Sequence, residues 1–134
     1  MRIIFDTNIL VAAFITHGIC NLLFEHTVEN HTIIISEFIL DELQHTLKDK
    51  FIIPEDKIIE IIDLLKVSCE LSGYKKFENQ ISRDTNDDPV LGIIDIANVD
   101  ILVSGDKDLL VLKRYKDVPI ISPRELWDEF RKNK

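Results

Sequence analysis

The chain begins with an unbroken apolar run, Ile3-Ile4-Phe5, that leads directly into Asp6. A strand without polar alternation is typical of a parallel sheet that is covered on both faces. Ligands bind at the carboxyl ends of the strands in open α/β sheets, so Asp6 is either a ligand residue or the cap of the next helix. Asn8 can also cap that helix, so capping does not require Asp6. Both interpretations of Asp6 are open from this stretch alone.

Similar buried strands recur along the chain, and helical segments separate them. Residues 32–35 are β-branched throughout and precede Ser36, which can cap a helix to about Lys50. Residues 100–104 form the next apolar run, and residues 120–121 form a last short one before the closing helix. Strands that alternate with helices predict an α/β fold with a parallel sheet. With 134 residues, we expect a single domain spanning residues 1–134.

The charge balance limits how this protein can contact nucleic acid. Sixteen basic and twenty-four acidic residues give a net charge of −8, which argues against binding through a broad basic face. The balance does not exclude an enzyme that contacts phosphates through metal ions held by carboxylates. No apolar stretch is long enough to span a membrane, and the N-terminus does not resemble a signal peptide. Cys20 and Cys69 match no metal-binding spacing, so we expect free thiols and a cytoplasmic protein.

Glu42 is the candidate acid of the helix that follows Ser36. On a helical wheel it lies at the rim of an apolar face, while Glu37 and Asp41 lie well outside that face. The apolar face consists of Ile39, Leu40, Leu43 and Leu47. A carboxylate on the rim can point along the packing seam toward the end of a neighbouring strand. The alternative is a boundary residue whose carboxylate lies in water.

A turn-rich acidic segment, residues 83–89, precedes a predicted helix from Pro89 to Asn98. Asp88 fits the N-cap of a helix that has Pro89 at its first position. Asp87 lies one residue outside, so its carboxylate is available for another role. Another helix is predicted from Pro54 to about Leu71.

Four acids are thus expected near one edge of the sheet: Asp6, Glu42, Asp87 and Asp106. Four such carboxylates would repel one another strongly, and hard divalent cations with oxygen ligands, Mg²⁺ or Mn²⁺, relieve that repulsion. Two such ions roughly 4 Å apart can activate water and stabilise both oxygens of a phosphodiester displacement. A phosphoacceptor receiver domain is a distant alternative. That fold needs an acid pair after its first strand and a lysine after its last strand, and this chain has neither.

These motifs together resemble the PIN domain, and most closely the VapC-like toxin components of toxin–antitoxin systems. The residues that carry the resemblance are Asp6-Thr7-Asn8, Glu42, Asp87-Asp88 and Ser104-Gly105-Asp106-Lys107-Asp108. The similarity runs from residue 1 to about residue 125, and it departs from the family at Thr85-Asn86, where proline and a further acid are common.

The resemblance implies a three-layer α/β/α sandwich around a parallel sheet of about five strands. It also implies an endoribonuclease that cleaves single-stranded RNA with Mg²⁺ or Mn²⁺. By matching position, the metal-binding and catalytic set is Asp6, Glu42, Asp87 and Asp106, with Asn8 and Ser104 as polar support and Asp88 and Asp108 as further candidates. We expect a protein antitoxin and a homodimer, and no contact with a membrane. The alternative is a catalytically weak PIN fold that binds nucleic acid or protein, although the presence of all four acids speaks against it.

Overall fold

The computed structural model describes residues 1–73 and 88–132, and at Asp88 it describes the backbone alone. The strands are β1 (Arg2–Phe5), β2 (Thr32–Ser36), β3 (Glu70–Ser72), β4 (Ile101–Val103), β5 (Arg114–Tyr115) and β6 (Val118–Ile121). The helices are α1 (Thr7–Ile15), α2 (Ile19–Asn30), α3 (Glu37–Asp49), α4 (Glu55–Ser68), α5 (Asp88–Ile94), α6 (Lys107–Leu110) and α7 (Pro123–Lys132).

The strands form one sheet in the order β3-β2-β1-β4-β6-β5. The first five strands in this order run parallel, and β5 pairs antiparallel with β6. The α/β class and the mostly parallel sheet predicted from the sequence are therefore confirmed. The short strand β5 is an addition to the five expected strands.

The centre of the sheet is the N-terminal strand β1, which lies between β2 and β4. Ile3 pairs with Ile33 on one side and with Ile101 on the other. Ile3 and Ile4 have no exposed surface, and Phe5 is 1% exposed. Side chains of successive strand residues point to opposite faces, so burial of all three means that both faces of β1 are covered. The unbroken apolar run indicated this arrangement correctly.

Helix α3 follows the predicted wheel. The Ser36 hydroxyl accepts a hydrogen bond from the Ile39 backbone N–H at 3.3 Å, which caps the first turn. All four residues of the predicted apolar face are buried. Glu37 and Asp41 are exposed, and Glu42 is half-buried at the rim. The side chain of Glu42 therefore leaves the core beside the helix instead of pointing straight into water.

The segment after α4 differs from the sequence prediction. The helix ends at Ser68 and not near Leu71, and residues 70–72 form β3, which pairs in parallel with β2. The Arg2 guanidinium binds the Glu70 carboxylate and also donates to the Asn98 carbonyl. Pairing with β2 and the contact with Arg2 hold this edge strand. Neither interaction can be inferred from the periodicity of apolar residues.

Helix α5 also has different bounds from those predicted. It begins at Asp88, one residue before Pro89, and ends at Ile94 and not at Asn98. The backbone N–H groups of Ile96 and Ala97 both donate to the Ile93 carbonyl, which closes the final turn. Asp88 is the first residue of α5 that the structure describes, and the N-cap role predicted for its side chain lies outside the described residues.

In the part of the chain that the structure describes, no single helix is long and apolar enough to cross a bilayer. The helices α1 and α2 reach that length and composition only when taken together, and they are bent by 103° to each other.

Both cysteines are free, as predicted. Burial raises the pKa of the Cys20 thiol, and it raises the pKa of Cys69 to about 12. Both thiols therefore stay protonated near neutral pH.

Candidate functional site

Asp6 lies at the point where β1 ends and α1 begins, and it is only 4% exposed. Its Oδ1 accepts a hydrogen bond from the Thr7 backbone N–H at 2.7 Å, and its Oδ2 accepts one from the Ser104 hydroxyl at 2.8 Å. Asp6 is therefore the N-cap of α1, and the expectation that capping would not require it is wrong. The chain turns into the helix directly after Phe5, so the capping position falls two residues before Asn8.

Ser104 joins the ends of two neighbouring strands. It follows β4 and is fully buried. Its hydroxyl donates to Asp6, and the same oxygen accepts a hydrogen bond from the Asp106 backbone N–H at 2.9 Å. Asp106 in turn caps α6, because its Oδ1 accepts from the Asp108 backbone N–H at 2.8 Å. One serine thus fixes the carboxylate of Asp6 relative to the turn that carries Asp106.

Glu42 reaches this edge of the sheet from α3. Its Oε1 accepts a hydrogen bond from the hydroxyl of Thr7, the first residue of α1, which is 3% exposed. Helices α1 and α3 pack against each other, which brings the two side chains together. Thr7 has no role of its own in the sequence prediction. Its place in the Asp6-Thr7-Asn8 motif is a signal in the sequence, but the contact with Glu42 depends on how the helices pack.

Two of the predicted acids, Glu42 and Asp106, act electrostatically on the buried Asp6. Burial raises the pKa of Asp6 to about 6, and the hydrogen bonds from Ser104 and Thr7 oppose that rise. The charges of Glu42 and Asp106 raise the pKa further. Burial disfavours the ionised form, and so do neighbouring like charges. A cation beside these carboxylates would reverse this effect.

The remaining candidate residues from the sequence are Asn8, Asp108, Asp87 and Asp88. Asn8 is exposed and lines a groove of about 220 Å³ between α1 and α3, together with Thr46 and Lys50. Asp108 is half-buried, and its backbone N–H contacts Asp106. Asp87 and the side chain of Asp88 lie outside the described residues, so their predicted roles are not tested by the geometry.

The atoms of this site that could bind a metal are carboxylate oxygens, which suit a hard divalent cation such as Mg²⁺ or Mn²⁺. Among the described residues, no three His, Cys, Asp or Glu side chains are already grouped closely enough to hold a metal ion. Asp6 and Asp106 each use a carboxylate oxygen to cap a helix, and Glu42 binds Thr7. The chemistry of these carboxylates, of which Asp6 is buried and is acted on by the charges of Glu42 and Asp106, fits a divalent cation.

The comparison with solved structures supports the fold. One similar chain belongs to the crystal structure of VapBC2 from Rickettsia felis, bound to a DNA fragment from their promoter. The two chains share 21% sequence identity and superpose with a TM-score of 0.65, over 91% of this chain and 98% of the other. No curated protein matches the chain. At this level of identity the likeness establishes the fold, which is the VapC-like fold that the sequence predicts.

The comparison with protein families reaches further, because it depends on the sequence pattern itself. The model of the PIN domain matches residues 2–108. This range contains all four predicted acids, and it covers every strand from β1 to β4. The chain belongs to the PIN domain family.

Proposed function

We propose that this protein is a metal-dependent endoribonuclease that cleaves single-stranded RNA, and that it is the toxin of a toxin–antitoxin pair. PIN domains are in general nucleases, and PIN nucleases generally use divalent metals. The observation that carries the proposal is the buried Asp6, which Ser104 ties to the Asp106 turn and whose pKa the charges of Glu42 and Asp106 raise. A buried carboxylate whose pKa is raised by burial and by neighbouring charges marks a candidate functional site.

The chain's own residues would hold and orient the reacting groups. When bound, Mg²⁺ or Mn²⁺ would supply an activated water and would neutralise the charge of the phosphodiester oxygens. Asp6, Glu42 and Asp106 would bind the cation through carboxylate oxygens. Ser104 and the helix-capping hydrogen bonds would keep Asp6 and Asp106 in position.

Asp87 is the proposed fourth acid. Asp6 and Asp106 each directly precede a helix, α1 and α6 respectively, and both cap it. Asp87 directly precedes, in the sequence, Asp88, the first residue of α5 that the structure describes. The same pattern therefore supports Asp87 over Asp88 as the ligand. If the pattern holds, Asp87→Asn should abolish cleavage, and Asp88→Asn should retain most of it. The reverse result would show that Asp88, and not Asp87, is the metal ligand.

The neighbouring fold suggests the kind of partner. The similar chain comes from a VapBC2 complex, and that complex was bound to promoter DNA. We propose that the present chain also pairs with a protein antitoxin, and that it acts as a homodimer in the cytoplasm. Expression of the wild-type chain alone should arrest growth, and Asp6→Asn should not.

The decisive experiment is cleavage of a mixed pool of single-stranded RNA by the purified protein. We expect cleavage with Mg²⁺ or Mn²⁺ and none with EDTA. Asp6→Asn should be inactive, whereas the matched control Asp41→Asn should cleave like wild type, because Asp41 is exposed on α3. Equal cleavage by wild type and Asp6→Asn, in preparations free of other nucleases, would refute the metal-site proposal. RNA binding without cleavage would favour the alternative of a catalytically weak binding module.

A further inference from the structure

We propose that Thr7 is a positioning residue that holds Glu42 beside Asp6, so that the two carboxylates are preorganised to take up one divalent cation. The inference rests on the proposed function and assigns a role to a residue outside the four acids. Thr7 contacts both carboxylates. Its backbone N–H donates to Asp6 Oδ1, and its hydroxyl donates to Glu42 Oε1.

The two contacts of Thr7 come from one rigid point of the fold. Thr7 is the first residue of α1, and the Asp6 cap fixes the start of that helix. A β-branched side chain has few rotamers in a helix, and Thr7 is 3% exposed, so its hydroxyl has little freedom to turn away. The Thr7 hydroxyl is therefore a fixed hydrogen-bond donor for the Glu42 carboxylate.

Ordering the side chain of Glu42 costs more conformational entropy than ordering that of Asp6, because it is longer. Asp6 sits at a strand end and is held by Ser104 as well as by the helix start. Glu42 stands on the rim of α3 and has a longer side chain, whose ordering is costly in conformational entropy. A neutral hydroxyl donor can bind a carboxylate without occupying the place of a cation. The hydrogen bond would thus order Glu42 before the metal arrives.

Partners of this kind have a measurable effect on metal binding. Hydrogen-bond donors that orient metal-ligating carboxylates typically change metal affinity or activity by about 10–100-fold when they are removed. Thr7→Val removes the hydroxyl and keeps the shape of the side chain. Thr7→Ser keeps the hydroxyl and should restore the wild-type behaviour. We expect the loss to appear in metal affinity and not only in turnover.

The test is a titration of the metal-free protein with Mn²⁺, followed by electron paramagnetic resonance of the unbound ion. We expect Thr7→Val to bind Mn²⁺ about 10–100-fold more weakly than wild type, and Thr7→Ser to bind like wild type. The matched control is Thr27→Val. Thr27 is a fully buried threonine of α2, and its hydroxyl donates to the Leu23 carbonyl. This control should leave the affinity for Mn²⁺ unchanged.

A double variant shows whether Thr7 acts through Glu42. If it does, Thr7→Val should add little to the loss already caused by Glu42→Gln, because interacting residues are not additive. Full additivity would overturn the inference, and so would wild-type Mn²⁺ affinity in Thr7→Val. If circular dichroism shows that Thr7→Val is unfolded, Thr7→Ala replaces it in the same series. A wild-type protein that binds no Mn²⁺ would overturn the proposed function itself, which distinguishes the two failures.

Discussion

At the scale of single residues, the buried Asp6 makes the stability of the metal-free protein depend on pH. Its pKa is about 6 in the fold, above the ordinary value of an unfolded aspartate. The folded state therefore holds the proton more tightly. The stabilisation by this group is complete below about pH 4 and is lost as the pH rises through about 6. At pH 7 the charged carboxylate remains buried and destabilises the fold.

Asp6→Asn removes this titration. Between pH 4 and pH 7, wild type should lose stability relative to the variant, on the order of 2 kcal/mol. Urea unfolding of both proteins at the two pH values, in EDTA, measures the difference. A gap between wild type and variant that does not change with pH would show that Asp6 does not titrate in this range.

Ser104 should matter for both stability and function. Its hydroxyl is fully buried and serves two groups, the Asp6 carboxylate and the Asp106 backbone N–H. Ser104→Ala leaves both without this partner, which should cost about 1–3 kcal/mol, measured by denaturant unfolding. The pKa of Asp6 should rise further, because the hydrogen bond from Ser104 lowers it. Ser72→Ala is the control, since the Ser72 hydroxyl donates to the Gly73 carbonyl at an exposed edge in the described part of the chain. An equal loss in both variants would contradict this role.

At the scale of elements, acids on α3 lie in different surroundings. Glu42 is half-buried at the rim and bonded to Thr7, while Glu37 and Asp41 are exposed. Glu42→Gln should therefore reduce RNA cleavage far more than Glu37→Gln or Asp41→Asn, under identical metal concentrations. Similar activity in all three variants would mean that the rim position has no catalytic importance.

The elements that the sequence predicted correctly are those whose buried residues form a local apolar pattern. The apolar runs identified β1, β2 and β4, and the wheel of α3 identified the face that carries Glu42. The sequence did not predict β3, because residues 70–72 contain one large apolar residue, and the strand is held by pairing with β2 and by Arg2. The role of Thr7 could not be predicted either. It depends on where α1 begins, and the cap there is Asp6 and not Asn8.

At the scale of the whole molecule, the net charge of −8 bears on how the proposed RNA substrate would be bound. In this acidic chain we expect few Lys or Arg contacts that release counterions from the RNA, so binding should depend only weakly on monovalent salt. We expect affinity for an uncleavable RNA to rise steeply with Mg²⁺ and to change little with KCl, as measured by fluorescence anisotropy. A steep KCl dependence without divalent ions would indicate many direct phosphate contacts and contradict this expectation.

The central position of β1 has a consequence for the time at which this protein becomes active. Asp6 is synthesised before its partner Ser104, which follows 98 residues later in the chain. A chain interrupted after β3 contains Asp6 and Glu42 but lacks both β4 and the Asp106 turn. The proposed nuclease site therefore cannot assemble on a nascent chain until β4 has emerged and paired with β1. Fragments released before β4 is complete should therefore lack the proposed nuclease activity.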